Sequence, residues 1–165
     1  PDTSELKDIL NGAAEDSDYV LVDCPPGLDS TVENIMMACD ELMIITMPTQ
    51  TAGVNAAQII EKAKVQRKPI LGTILNKVEG DPEKELVERD VEMMTESHVM
   101  GKIPYDHIMK ESLFENEPAI LYEPLAEASI EIKKLAASLE GREYEPPKFA
   151  KLKRKLQEFK KNISS

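Results

Sequence analysis

Short apolar runs rich in Val, Ile and Leu alternate with longer helical patterns along most of this chain. The runs predict strands near residues 19–23, 42–47, 70–75 and 98–102. The other patterns predict helices near residues 29–39, 53–66, 82–96, 107–116 and 124–139. Crossovers of ten or more residues join strands that run parallel. The chain is therefore predicted to be an α/β protein with a doubly wound parallel sheet and helices on both faces.

The first apolar run ends on an acid and enters a Pro-Pro-Gly turn, Asp23-Cys24-Pro25-Pro26-Gly27. An Asp at the carboxyl end of a buried parallel strand lies where open α/β sheets bind ligands, and it can hold Mg²⁺ directly or through water. Gly27 lacks a side chain, so its N–H can approach a terminal phosphate closely, and Pro25 stiffens the approach. The alternative is an ordinary strand and a turn that begins the next helix.

Three later segments accompany this turn. The sequence has a strand and loop at 42–49, LMIITMPT, a strand that ends in Leu75-Asn76-Lys77, and the loop Gly101-Lys102-Ile103-Pro104-Tyr105-Asp106. In this order and at this spacing, residues 5–140 resemble the MinD/ParA family of deviant-Walker ATPases, the MinD branch in particular. The resemblance implies a partial P-loop NTPase fold that uses ATP and Mg²⁺ and forms a homodimer on binding ATP.

The phosphate-binding loop of that family is missing from the printed residues. They contain neither G-x-x-x-x-G-K-[ST] nor the deviant G-K-G-G-x-G-K-[ST], whose N–H groups and lysine neutralise phosphates. We therefore expect the chain to be the carboxyl-terminal part of a MinD-like ATPase, or else a member that has lost catalysis. No catalytic residue is expected in this chain alone, and ATP hydrolysis is expected only if a phosphate loop completes it.

The resemblance also assigns residues to the base and ribose. It implies that Asn76 contacts adenine, that the stem of Lys77 lies along the ring, and that Pro104 and Asp106 wrap the base and ribose. The residues themselves leave alternatives open: an Asn amide can both donate and accept, but Asn76 could simply end its strand, and Asp106 could cap the next helix. Asp23, Pro25 and Gly27 are expected at the phosphates, with Asp23 holding Mg²⁺ through water.

Composition narrows the class of protein. The sequence has no apolar run of about 18 residues and no signal-peptide pattern. Cys24 and Cys39 form no C-x-x-C pair, and two histidines do not suggest a metal cluster. A cytoplasmic protein with reduced thiols is expected. The missing C-x-x-C also disfavours the iron–sulfur carrier branch, which has a similar turn.

The carboxyl-terminal segment differs from the rest of the chain. We divide the sequence into an ATPase-domain portion (1–140), a Pro-containing linker (141–147) and a basic amphipathic tail helix (148–165). The tail's apolar stripe is Phe149, Leu152, Leu156, Phe159 and Ile163, and the cations beside it include Lys151 and Lys155. An anionic membrane surface is the partner that suits both features best. A coiled-coil partner and the protein's own acidic body are the alternatives.

Charge is divided unevenly between the tail and the body. The tail has seven Lys or Arg and one Glu, a net charge of +6, so the remaining residues carry −17 of the total of −11. Such a body repels nucleic acid and disfavours a ParA-type partition ATPase. The expected function is that of a cytoplasmic, peripherally membrane-associated ATPase that positions a protein partner of unknown identity, as in septum-site determination or another spatial task. The alternatives are a ParA-type partition ATPase and a non-catalytic interaction module.

Overall fold

The computed structural model describes residues 2–149. Within them, three strands form one parallel sheet in the order β1-β2-β3: β1 (Leu42–Thr46), β2 (Ile70–Val78) and β3 (Val99–Pro104). The helices of the described part are α1 (Thr3–Ala14), α2 (Ser30–Ala38), α3 (Gln50–Val65), α4 (Glu88–Thr95), α5 (Ile108–Phe114), α6 (Ala119–Tyr122) and α7 (Glu127–Leu139). The predicted parallel α/β fold is confirmed.

Strand register shows that helices cover both faces of this sheet. Ile45 of β1 is level with Ile74 of β2, which in turn is level with Gly101 of β3, so these three residues share one face. Leu135 of α7 contacts the Gly101 position. Ile44 points to the opposite face, where it packs with Ala56 and Ile60 of α3 in the buried core. Helices α3 and α7 therefore lie on opposite sides of the sheet.

Helix α2 is held at its carboxyl end by the loop that follows α3. The Lys68 ammonium donates to the Met37 carbonyl at 2.8 Å and to the Cys39 carbonyl at 2.6 Å, at the carboxyl end of α2. At the other end, Asp29 accepts from the N–H groups of the first turn. These contacts satisfy backbone groups that a helix leaves unpaired at its ends.

The predicted helix over 82–96 begins too early. Residues 81–85 form a separate turn, in which Asp81 Oδ1 accepts from the Glu83 N–H at 3.1 Å, and α4 starts only at Glu88. The carboxylate of Glu85 is turned back to the Glu79 and Gly80 N–H groups at 2.8 Å each. An Asp-Pro pair can begin either a single turn or a long helix. Here the chain makes one turn and then leaves the helical conformation.

The predicted strand over 19–23 is also wrong. This segment belongs to no strand of the described part, and Tyr19 and Leu21 are 56% and 77% exposed. A strand is stabilised by the neighbours that pair with it and cover it, and the three described strands do not pair with this segment. Asp23 therefore follows an exposed segment outside the sheet, not a buried strand.

The predicted tail helix lies almost entirely outside the described residues. The structure describes the linker 141–147 and continues to Phe149, whose side chain is 74% exposed. The boundaries 1–140, 141–147 and 148–165 remain predictions. In the part of the chain that the structure describes, no helix is both long and apolar enough to cross a bilayer.

Candidate nucleotide site

The end of β2 is a bulge centred on Lys77. Lys77 adopts a left-handed conformation with φ of 58°, and the pairing of β2 with β3 shifts register between Asn76 and Val78. The Asn76 side-chain oxygen accepts from the Lys77 N–H at 2.9 Å and so stabilises this conformation. Asn76 thus makes the contact expected if it simply ends its strand, which was the alternative to an adenine contact. Lys77 is exposed to solvent.

The end of β3 lies directly beside this bulge. Asn76 is level with Ile103, Val78 is level with Pro104, and the Tyr105 N–H donates to the Val78 carbonyl at 2.9 Å. The loop that contains Pro104 is therefore held against the segment that contains Asn76. The parallel sheet has brought together two motifs that are 28 residues apart in sequence.

Asp106 is buried just before α5, whose N-cap position is His107. Its Oδ1 accepts from the Ile108 N–H at 3.2 Å, and His107 Nδ1 lies 3.6 Å from the same oxygen. Capping was the alternative role for this residue, and the contact is present. The ribose role implied by the resemblance remains a prediction.

The two strand ends suit a planar base. The Asn76 amide nitrogen has no partner among residues 2–149, so it can donate to a ligand, and its oxygen has a second lone pair free for another donor. Tyr105, which the sequence reasoning did not select, is 56% exposed beside Pro104 and adds aromatic surface. An amide next to flat apolar side chains is what an adenine ring requires.

The turn that contains Asp23 does not follow a strand, unlike the Asn76 and Pro104 segments. Gly27 has a φ of +132°, and no atom lies within 4 Å of where a Cβ would stand, so conformation, not space, favours glycine here. Asp23 and Pro25 are exposed. No cluster of three His, Cys, Asp or Glu residues suited to a metal occurs between residues 2 and 149. Mg²⁺ is usually bound through one or two carboxylates and keeps several waters.

The thiol next to Asp23 is less acidic than an ordinary cysteine. Partial burial raises the pKa of Cys24, and the charges of Cys39, Asp23 and Asp29 raise it further. Burial likewise raises the pKa of Cys39. Both thiols therefore favour the neutral form near pH 7.

Sequence reasoning also missed Glu85. Its carboxylate accepts from two successive N–H groups, those of Glu79 and Gly80, just after the bulge. The next residue, Leu86, donates to the Pro48 carbonyl at 2.9 Å and joins this loop to the end of β1. In the sequence, Glu85 is marked only by its position four residues after Asp81. That spacing does not predict that its carboxylate accepts from the N–H group of Glu79, six residues earlier.

The chain is similar in sequence to several known proteins. A family described as an AAA domain matches residues 2–78. An ATP-binding protein of Methanocaldococcus jannaschii is 28% identical over 140 residues, which are 85% of this chain and 53% of that protein. A putative septum site-determining protein MinD of Guillardia theta is 24% identical over 144 residues, 86% of this chain and 54% of that protein.

A solved structure extends the likeness to three dimensions. The septum site-determining protein MinD of Pyrococcus horikoshii, complexed with Mg-ADP, superimposes with a TM-score of 0.75 at 25% identity, over 84% of this chain and 56% of that one. These likenesses support a MinD/ParA-family P-loop ATPase. This confirms the predicted resemblance. The chain spans about half the length of the curated relatives it matches.

Proposed function

We propose that this MinD/ParA chain provides the base-binding half of an ATP-dependent switch. The observation that supports it best is the pairing of the Asn76–Lys77 bulge with the Pro104 loop. In this proposal the Asn76 amide reads the adenine edge, Pro104 and Tyr105 cover a face of the ring, and Asp106 fixes the loop. The cofactors are ATP and Mg²⁺, and the ion would neutralise phosphate charge when bound.

Asp23, Pro25 and Gly27 form the phosphate side of the proposal. Asp23 would hold the water shell of Mg²⁺, and the Gly27 N–H would approach the terminal phosphate. Both roles require residues 19–23 to be brought to the sheet by further polypeptide that pairs with them. Hydrolysis is therefore proposed only for a chain completed with a phosphate loop.

The complete protein is proposed to form a homodimer on binding ATP and to associate peripherally with anionic membrane through residues 148–165. It would thereby position a protein partner in cell division or another spatial task. The tail's cations and apolar stripe support the membrane step, since each Lys or Arg near an anionic surface contributes about 1 kcal/mol. Two tails in a dimer would bind more strongly than one.

The base-site test uses a chain extended at its amino terminus with a G-K-G-G-x-G-K-[ST] loop. Asn76→Ala should weaken ATP binding by about 1–3 kcal/mol, because a buried base edge loses its partner. Asn55→Ala, an exposed Asn of α3, is the matched control and should bind like the wild type. Calorimetry measures both affinities, and equal affinity of the Asn76 variant would leave Asn76 as a turn residue only.

The phosphate-side test uses the same extended chain. Asp23→Ala should abolish Mg²⁺-dependent hydrolysis and ATP-driven dimerisation, whereas Asp18→Ala, at a nearby exposed acid, should not. Steady-state phosphate release and sedimentation measure the two effects. Full activity of the Asp23 variant would contradict the ion-binding role.

The membrane test is sedimentation with vesicles that contain anionic lipid. Wild-type protein should pellet in a salt-sensitive manner, and Phe149→Glu with Phe159→Glu should remain in solution. Val65→Glu with Met93→Glu adds the same charges at exposed apolar positions outside the tail. Equal pelleting of the tail variant and this control would remove the membrane from the proposal.

A further inference from the structure

Helices α5 and α6 present apolar side chains to solvent. Leu113 and Phe114 at the end of α5 are 78% and 87% exposed, and Leu121 of α6 is 62% exposed. Next to them is an open pocket of about 430 Å³ lined by Lys110, Glu111, Phe114, Glu115 and Tyr122. We call these residues the α5–α6 surface. Single exposed apolar residues are ordinary, but a group of them beside a pocket marks an interaction surface.

The α5–α6 surface lies in a strongly acidic part of the chain. From Asp106 to Glu127 there are six carboxylates and one lysine, a net charge of −5 with histidine neutral. Two of these carboxylates, Glu111 and Glu115, line the pocket itself. An occupant must therefore combine apolar side chains with positive charge. Nucleic acid and an anionic membrane would be repelled from this surface.

One segment of the chain has this combination. Residues 148–165 have a net charge of +6, and their apolar residues recur at spacings of three and four. A helix formed by them would have one apolar stripe with cations at its sides. Such a helix of about 18 residues is marginal in water and needs a surface to stabilise it. The two surfaces are complementary in both charge and hydrophobicity.

The linker is long enough to bring this segment to α6. Helix α7 begins beside α6, since the Ser129 hydroxyl donates to the Ala119 carbonyl at 3.0 Å and the Lys133 ammonium donates to the Pro124 carbonyl at 3.0 Å. The 13 residues of α7 lead away from α6 by about 20 Å, at 1.5 Å per residue. Residues 140–142 are held at the end of α7, where the Arg142 N–H donates to the Ala137 carbonyl at 2.9 Å, and residues 143–148 can return over roughly 20–22 Å when extended.

We propose that residues 148–165 dock, with the apolar stripe inward, on the α5–α6 surface of the same chain. The short linker gives the tail an effective concentration in the millimolar range at this surface, so modest contacts suffice. The stripe that would enter a membrane is then covered, so docking and membrane binding exclude each other. Docking goes beyond the proposed function and does not depend on it.

Photo-crosslinking of the full chain tests this contact. Phe159 is replaced by p-benzoylphenylalanine, the protein is irradiated, and the crosslinked peptides are mapped by mass spectrometry. We expect crosslinks within a single chain to residues 108–123, with a yield that does not change on dilution. Crosslinks to other parts of the body, or crosslinks between chains that vanish on dilution, would overturn the proposal.

Charge reversal on the α5–α6 surface provides a second test of docking. Glu115→Lys with Glu117→Lys should lower the crosslinking yield by about fivefold, because ion pairs with the tail become repulsive contacts. Glu61→Lys with Glu83→Lys makes the same charge change at exposed positions elsewhere and should leave the yield unchanged. Circular dichroism checks that both variants are folded. An unchanged yield in the first variant would contradict electrostatic docking.

Vesicle binding separates this proposal from the membrane proposal. Phe114→Ser should increase pelleting with anionic vesicles about fivefold, because the released tail is free to bind lipid. If no variant pellets but the intramolecular crosslinks persist, docking stands and membrane binding fails. If the wild type pellets but its crosslinks do not map to residues 108–123, membrane binding stands and docking fails.

Discussion

Gly101 of β3 sets how closely α7 approaches the sheet. A Cβ at this position would lie 2.9 Å from Leu135 Cγ and 3.2 Å from Leu135 Cδ1, and closer still to Cδ2. Ordinary contacts of a Cβ are 3.4–4 Å, so Gly101→Ala forces Leu135 or the whole of α7 to move. Overpacking of this kind costs about 1–3 kcal/mol. Because Leu135 is only half-buried and can rotate, we expect a loss of about 1–2 kcal/mol.

Urea unfolding followed by far-UV circular dichroism measures this loss. Gly12→Ala is the control: it lies in α1 with nothing within 4 Å of its Cβ position, and it should raise the free energy of unfolding by about 0.5–1 kcal/mol. In a Leu135→Ala background, Gly101→Ala should cost much less, since the clash is gone. An equal cost in both backgrounds, or no cost in either, would refute the packing argument.

Three further changes test the site's surroundings. Lys77→Val should lower the free energy of unfolding by about 1 kcal/mol, because a β-branched residue is strained at positive φ, while Lys77→Asn should be tolerated. Glu85→Ala should speed amide exchange at Glu79, measured by hydrogen exchange, with no change in α7. Because the pKa of Cys24 is raised, its alkylation by iodoacetamide in a Cys39→Ser background should reach half its maximal rate at a higher pH than that of free cysteine.

The sequence alone determined the elements that rest on local patterns. The Val- and Ile-rich runs at 42–47 and 70–75 predicted β1 and β2, because side-chain periodicity acts over a few residues. The order of the motifs from Asp23 to Asp106 was also enough to predict the resemblance to MinD/ParA ATPases. Charge counts separated the basic tail from the acidic body.

Tertiary structure decided which of these segments meet. The sequence could not show that residues 19–23 would lie outside the sheet, because a strand depends on a partner as well as on its own composition. It also could not show that the Asn76 oxygen serves its own turn, or that the Tyr105 N–H donates to the Val78 carbonyl and holds the Pro104 loop beside β2. The residues that meet at the ends of β2 and β3 are far apart in sequence, and the local conformational preferences of one segment carry no information about the other. Only the register of the parallel strands brings them together.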